Sequence, residues 1–121
     1  MRYATIAMMA LLATPALAQD GSRAEPLAPD QARSNIGQHV VVEGRAHVRD
    51  ADGWLGVYVD LDHRGNHTRF AGYIPNENLA QFPHLREVEG RRVDIDGVVQ
   101  IRKEGFPIII LTASGQLRPA G

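Results

Sequence analysis

From residue 39 onward, apolar and polar positions alternate in five short runs, and a helical spacing interrupts them once. Residues 39–48 set Val40, Val42, Gly44, Ala46 and Val48 on one face and Glu43, Arg45 and His47 on the other, a period of two that predicts a strand with one buried side. Gly44 in mid-run allows the sharp bend of a strand that serves both halves of a closed sheet. Residues 54–61 repeat the alternation, with Leu55, Val57, Val59 and Leu61 inward and Trp54, Gly56, Tyr58 and Asp60 outward. In residues 69–74, Phe70, Gly72 and Ile74 alternate with Ala71 and Tyr73. Residues 92–101 carry Val93, Ile95, Val99 and Ile101 around Gly97, and residues 106–111 are almost continuously apolar. Polar, glycine-bearing segments at 49–53, 62–68 and 102–105 supply the turns.

Between the third and fourth runs the period changes. Pro75 stops the strand, Asn76 is placed to cap a helix, and Glu77 lies near the positive end of its dipole. Leu79, Phe82 and Leu85 form an apolar stripe, and Pro83 limits the regular helix to about two turns. That stripe is expected to close the bottom of a barrel. The order β-β-β-α-β-β in about seventy residues is the order of an all-β, five-stranded OB-fold barrel with one short helix between strands three and four. The barrel domain is expected over residues 36–117, with a tail at 118–121. Ahead of it, residues 19–35 read as a flexible lead-in holding one short helical turn, which Asp30 caps and Gly37 ends.

The first eighteen residues change the compartment. Arg2 gives a minimal positive start, residues 4–13 are apolar, and Ala16-Leu17-Ala18 forms an A-x-A site, so cleavage is expected after Ala18. The apolar run is too short to span a bilayer, so the expectation is a periplasmic or secreted protein with no membrane span. The chain has no cysteine, which excludes a disulfide framework and leaves stability to the apolar core. Lys and Arg number 13 against 14 Asp and Glu, and the leader would remove Arg2 from that count. No global basic excess attracts phosphate, so nucleic-acid binding would need a local patch.

Several residues also carry a family likeness. Val42-Glu43-Gly44, then Phe82-x-x-Leu85 before Val88-Glu89-Gly90, then Val93-x-Ile95-x-Gly97 and Gly105-Phe106-Pro107-Ile108-Ile109-Ile110-Leu111 with Gln116-Leu117 resemble the small bacterial OB-fold domains of the nucleic-acid-binding, tRNA-anticodon-binding-like group. The likeness covers roughly residues 36–117 and implies a ligand surface on strands two and three, between the first-second and fourth-fifth loops. Carried onto this chain, that surface comprises Trp54, Tyr58, Arg69 and Tyr73, flanked by Arg49, Arg102, Lys103 and Phe106. Exposed aromatics there would stack on bases at about 1–3 kcal/mol each, with arginines tracking the backbone. Asp50, Asp52 and Asp60 share the region and oppose phosphate.

The remaining chemistry is sparse. No nucleophile elbow, phosphate-cradling glycine loop or zinc-protease motif is present, so no catalytic residue is assigned, no enzyme activity is expected and no cofactor is implied. His63-x-x-x-His67, beside Asp60 and Asp62, is a weak alternative as a metal pair, since Arg64-Gly65-Asn66 between them reads as a hairpin turn. His39, His47 and His84 read as isolated surface residues. The expectation is a non-catalytic exported binding module for single-stranded nucleic acid or an oligosaccharide. Its alternative is a protein-interaction or accessory domain with an exported protein partner.

Overall fold

The computed structural model describes residues 25–120 apart from 52, 54, 65, 66 and 102–104. The leader segment, Trp54, Arg102 and Lys103 therefore lie outside the described residues. The chain is mostly strand: β1 (His39–Asp50), β2 (Gly56–Leu61), β3 (Ala71–Pro75), β4 (Arg92–Ile101), β5 (Pro107–Ile110) and β6 (Leu117–Pro119). Their order is β1-β2-β3-β5-β4-β6, and an added β1–β4 pairing joins the first five into a ring. Every pairing is antiparallel except β3 with β5, where Ala71 lies beside Ile108 and Tyr73 beside Ile110.

β1 makes closure possible by changing partner midway. His39 to Arg45 pair with β4, and Ala46 to Asp50 pair with β2. Gly44 sits just before the switch, where a β-carbon would stand 3.0 Å from Leu61 Cβ and 3.1 Å from Pro29 Cγ. Any larger residue there would have to push Leu61 or Pro29 aside by a few tenths of an ångström, so close approach as well as bending favours glycine. The seam left as β1 parts from β4 is stitched by the turn before β4. Ala46 N–H donates to the Arg91 carbonyl and Gly90 N–H to the Ala46 carbonyl, each at 2.8 Å.

Inside the ring, the predicted inward faces meet. Val42, Val59, Leu61, Phe70, Ile74, Ile95 and Leu111 are fully buried in one cluster. Two inward expectations fail at strand ends, where Leu55 is 67% and Ile101 42% exposed. β2 starts only at Gly56, where any β-carbon would collide with the Ile74 carbonyl oxygen across the β2–β3 pair.

The interruption between β3 and β4 is two 3₁₀ helices, Asn76–Gln81 and Leu85–Val88, rather than one α-helix. Pro83 falls between them, and 3₁₀ turns suit such short pieces. Phe82 and Leu85 are buried, with Leu79 and Val88 packed on the same core. Asn76 is not the cap: Pro75 is the flanking residue, no side chain caps the turn, and Pro75 is the last residue of β3, paired with Gly56.

Both ends of the described segment carry more regular structure than their composition suggests. Leu27 N–H donates to the Val41 carbonyl at 2.8 Å, and Glu43 N–H donates back to Leu27 at 2.9 Å. This stretch of β1 has β4 on one side only, so its outward backbone groups take Leu27 as a partner. A 3₁₀ helix follows at Pro29–Asn35, with Asp30 in its first turn and Ala28 as the flanking residue. Asp30 is not the cap; instead, the Gln31 side-chain oxygen accepts the Ala28 N–H at 2.7 Å. At the other end, Leu117, the last residue of the expected domain, and the first two residues of the expected tail form β6, with Leu117 opposite Ile95 and Pro119 opposite Val93.

Candidate functional site

The outer face of β2 and β3 was expected to display aromatics, and here the structure corrects the reading. Tyr58 and Tyr73 are only 6% and 9% exposed. They pack with Ala51, Ala71 and Ile108 in a second apolar cluster on the outside of the ring, with Phe106 and Ile110 against it. The two tyrosine rings lie 5.1 Å apart, and Phe106 meets Tyr58 edge-on at 5.9 Å. Tyr73 Oη donates to the Leu55 carbonyl at 2.7 Å. Rings held this way present no open face for a base to stack on.

Arg49 completes that cluster. It stands opposite Tyr58 in the β1–β2 pairing, its guanidinium carbon is 4.3 Å from the Tyr58 ring centroid, and its Nε donates to Asp60 Oδ2 at 2.6 Å. Asp60 is fully buried, so Arg49 serves as its counter-ion. Arg69 lies apart from these residues, exposed and 3.9 Å from Asp30. Of the predicted surface, the structure unites Arg49, Tyr58, Tyr73 and Phe106 and separates Arg69 from them.

The histidines regroup. The hairpin after β2 closes with Arg64 and His67 exchanging backbone hydrogen bonds, His67 N–H donating at 2.9 Å. His63 stacks on His47, ring centroids 5.1 Å apart and planes 25° from parallel. His67 is exposed, and no group of three metal-ligating side chains occurs among the described residues. Near-parallel rings aim their nitrogen lone pairs side by side instead of at one point, which opposes a shared metal ion.

His47 and His63 lie in a cleft of about 530 Å³ lined also by Arg45, Ala46, Asp62, Arg64, Glu89, Gly90 and Arg92. A neighbouring cleft of about 340 Å³ shares Asp62 and Arg64 and adds Asp30 and Arg69. Most of the charged groups are held in place. Glu89 accepts the Val48 N–H at 2.8 Å through one oxygen and faces His47 Nδ1 at 3.1 Å with the other. The Val48 N–H, and after it His47, hold the Glu89 carboxyl below the usual carboxylate range. Asp62 Oδ1 accepts the Arg45 N–H at 2.8 Å, Arg45 Nη1 donates to the Gly90 carbonyl, and Arg92 pairs with Glu43 at 3.2 Å. The Arg64 guanidinium has no hydrogen-bond or ion-pair partner among the described residues.

His47, read from the sequence as an isolated surface residue, instead pairs with Glu89 and stacks on His63, and Glu89 stood out only as part of the Val88-Glu89-Gly90 likeness, not as a site residue. His47 and Glu89 stand 42 residues apart, and only the turn that seals the β1–β4 seam brings them together. The alternation did place Arg45 and His47 on the outward face of β1. No protein-family model matches the chain, and no curated protein matches it.

Proposed function

We propose that the protein is a non-catalytic, exported binding module on an OB-type barrel. Its ligand is an anionic chain, single-stranded nucleic acid or an acidic oligosaccharide, lying along the arginine-lined clefts and not on the β2–β3 face. The OB assignment is supported by the ring order and the parallel β3–β5 contact, which follow from two hairpins joined across a helical interruption. The ligand assignment is carried by one observation: two clefts sharing Asp62 and Arg64 bring Arg45, Arg64, Arg69 and Arg92 onto one continuous surface. Planar guanidinium forks suit phosphate and carboxylate groups alike. On a chain of formal net charge −1, these four arginines share the clefts with Asp30, Asp62 and Glu89, so the local positive excess is small and centres on Arg64.

The test is a titration with a fluorescent single-stranded oligonucleotide and, separately, a polyuronate, at low and at moderate salt. Binding of at least one polyanion that weakens with salt is expected. An Arg45→Ala, Arg64→Ala double change should weaken it about tenfold or more while leaving the folded circular dichroism spectrum intact. Salt-insensitive binding, or binding indifferent to both arginines, would overturn the assignment.

A further inference from the structure

Resting on the cleft reading above, we infer that anion binding is gated by pH: the stacked rings of His47 and His63 take up protons on acidification and turn a weakly positive cleft into a strongly positive one. The first ground is the charge of the lining. In the larger cleft Arg45, Arg64 and Arg92 stand against Asp62 and Glu89, an excess of one positive charge while both imidazoles are uncharged. Both rings line the same cleft, so charging them brings that excess to three. Histidine is the side chain whose ordinary charge change falls between pH 5 and 8. Arginine keeps its charge across that span, and Glu89, held below the usual carboxylate range by the Val48 N–H and His47, stays ionised through it.

The second ground is that each ring has a carboxylate placed for its charged form. An imidazolium carries a hydrogen on both nitrogens, whichever tautomer it forms from. His47 Nδ1 then donates to Glu89 Oε2, 3.1 Å away. His63 Nδ1 then faces Asp60 Oδ2, 4.0 Å away. Asp60 is fully buried and holds Arg49 through Oδ2, while its Oδ1 and the buried His63 Nδ1 have no hydrogen-bond partner among the described residues. Buried polar atoms left in that state are costly. A proton on His63 gives Nδ1 a hydrogen with an acceptor in reach and gives Asp60 a second cation.

The groups that oppose this charging are largely engaged elsewhere. Arg45 donates to the Gly90 carbonyl, Arg92 pairs with Glu43, and Arg49 is taken up by Asp60. Arg64 remains, with Asp62 in the same lining to offset it. The two rings also oppose each other, since imidazolium ions stacked with centroids 5.1 Å apart repel. With Glu89 on one ring and Asp60 on the other, both still charge, and the coupling spreads the uptake over a wider span of pH than one isolated histidine shows. His39 and His84 sit at carboxylates of their own, Asp96 and Glu87, outside both arginine-bearing clefts, and so provide controls.

The experiment titrates the protein with a fluorescent oligothymidylate and, separately, a polyuronate, at about pH 8 and about pH 5.5 and at constant ionic strength. Both probes keep their charge over that span. At least one should bind about tenfold or more tightly at the acid end, with a steeper dependence on salt there. Calorimetry midway, in buffers of different ionisation enthalpy, should show protons taken up on binding. Changing His47→Gln and His63→Gln together should flatten the pH dependence, and His39→Gln with His84→Gln should leave it intact, with folding of both variants checked by circular dichroism. Equal affinity at the two pH values, binding of the unaltered protein without proton uptake, or an acid rise that survives loss of His47 and His63 overturns this inference and leaves the anionic-chain reading standing. If neither polyanion binds at either pH, the anionic-chain reading itself falls and takes this one with it.

Discussion

The two faces of β2 are equally buried for different reasons. Inward, Val57, Val59 and Leu61 join the ring's interior, an apolar packing with no ionisable side chain among its members. Outward, Tyr58 and Asp60 are covered by Arg49, Phe106 and the neighbouring strand, so this face combines aromatic contact with a charge pair. The inner face is stable because water is excluded from hydrocarbon. The outer face depends on each polar group finding its partner, since an unpaired buried group is costly. Period-two patterning therefore reports which side of a strand a residue occupies, and it does not report whether that side meets water.

The largest expected effect tests the inner face. Phe70 is completely buried in the ring's core. Truncation to alanine removes its contacts and leaves a cavity that a closed ring cannot easily collapse, so Phe70→Ala should cost about 3–5 kcal/mol in urea unfolding. A cost below about 1 kcal/mol would show that the ring interior is loosely packed.

The outer face should respond less, and differently. Asp60→Ala removes the acceptor 2.6 Å from Arg49 Nε, but the Arg49 side chain is 35% exposed and can turn to water. The expected loss is about 1–3 kcal/mol, below the roughly 3–5 kcal/mol that follows when the orphaned partner is fully buried. Combining Asp60→Ala with Arg49→Met should recover part of the loss, because the second change removes the stranded charge. Strictly additive losses would mean that the two groups are not coupled, and the outer cluster would then be apolar packing and little else.

The contrast explains what could be read in advance. The β4 bounds at 92–101 and the inner faces of β1 and β2 follow from alternation, because one inward side chain in two is a local property. The 3₁₀ stopper was legible as an apolar stripe broken by Pro83. The burial of Tyr58 and Tyr73 was not, since it depends on Arg49 from the end of β1, Ala51 just after it and Phe106 just before β5. Nor was β6, whose Leu-Arg-Pro sequence has no strand signal and pairs only because β4 offers an open side at Val93 to Ile95. The cleft shares that character: His47 was visible as an outward residue, but its meeting with Glu89 and His63 is a product of ring closure.

The smallest expected effect lies where the ring's seam and the cleft coincide. Glu89 binds the Val48 N–H, a donor left over where β1 departs from β4, and it also holds His47. These contacts favour the ionised carboxylate and keep its folded value below the ordinary 4.5. A carboxyl depressed by folding adds stability above its unfolded value, and that contribution is lost as the pH falls through the lower folded value. Glu89→Gln should therefore be less stable than the parent near neutral pH, with the gap closing as the pH drops below 4.5. The gap should be modest, because the Glu89 side chain is 52% exposed and solvent screens it. Urea unfolding of both proteins across that pH range measures it. A gap that stays constant with pH would assign the effect to the hydrogen-bond geometry of the seam, and a gap that widens in acid would reverse the sign and remove Glu89 from its place as the charged anchor of His47.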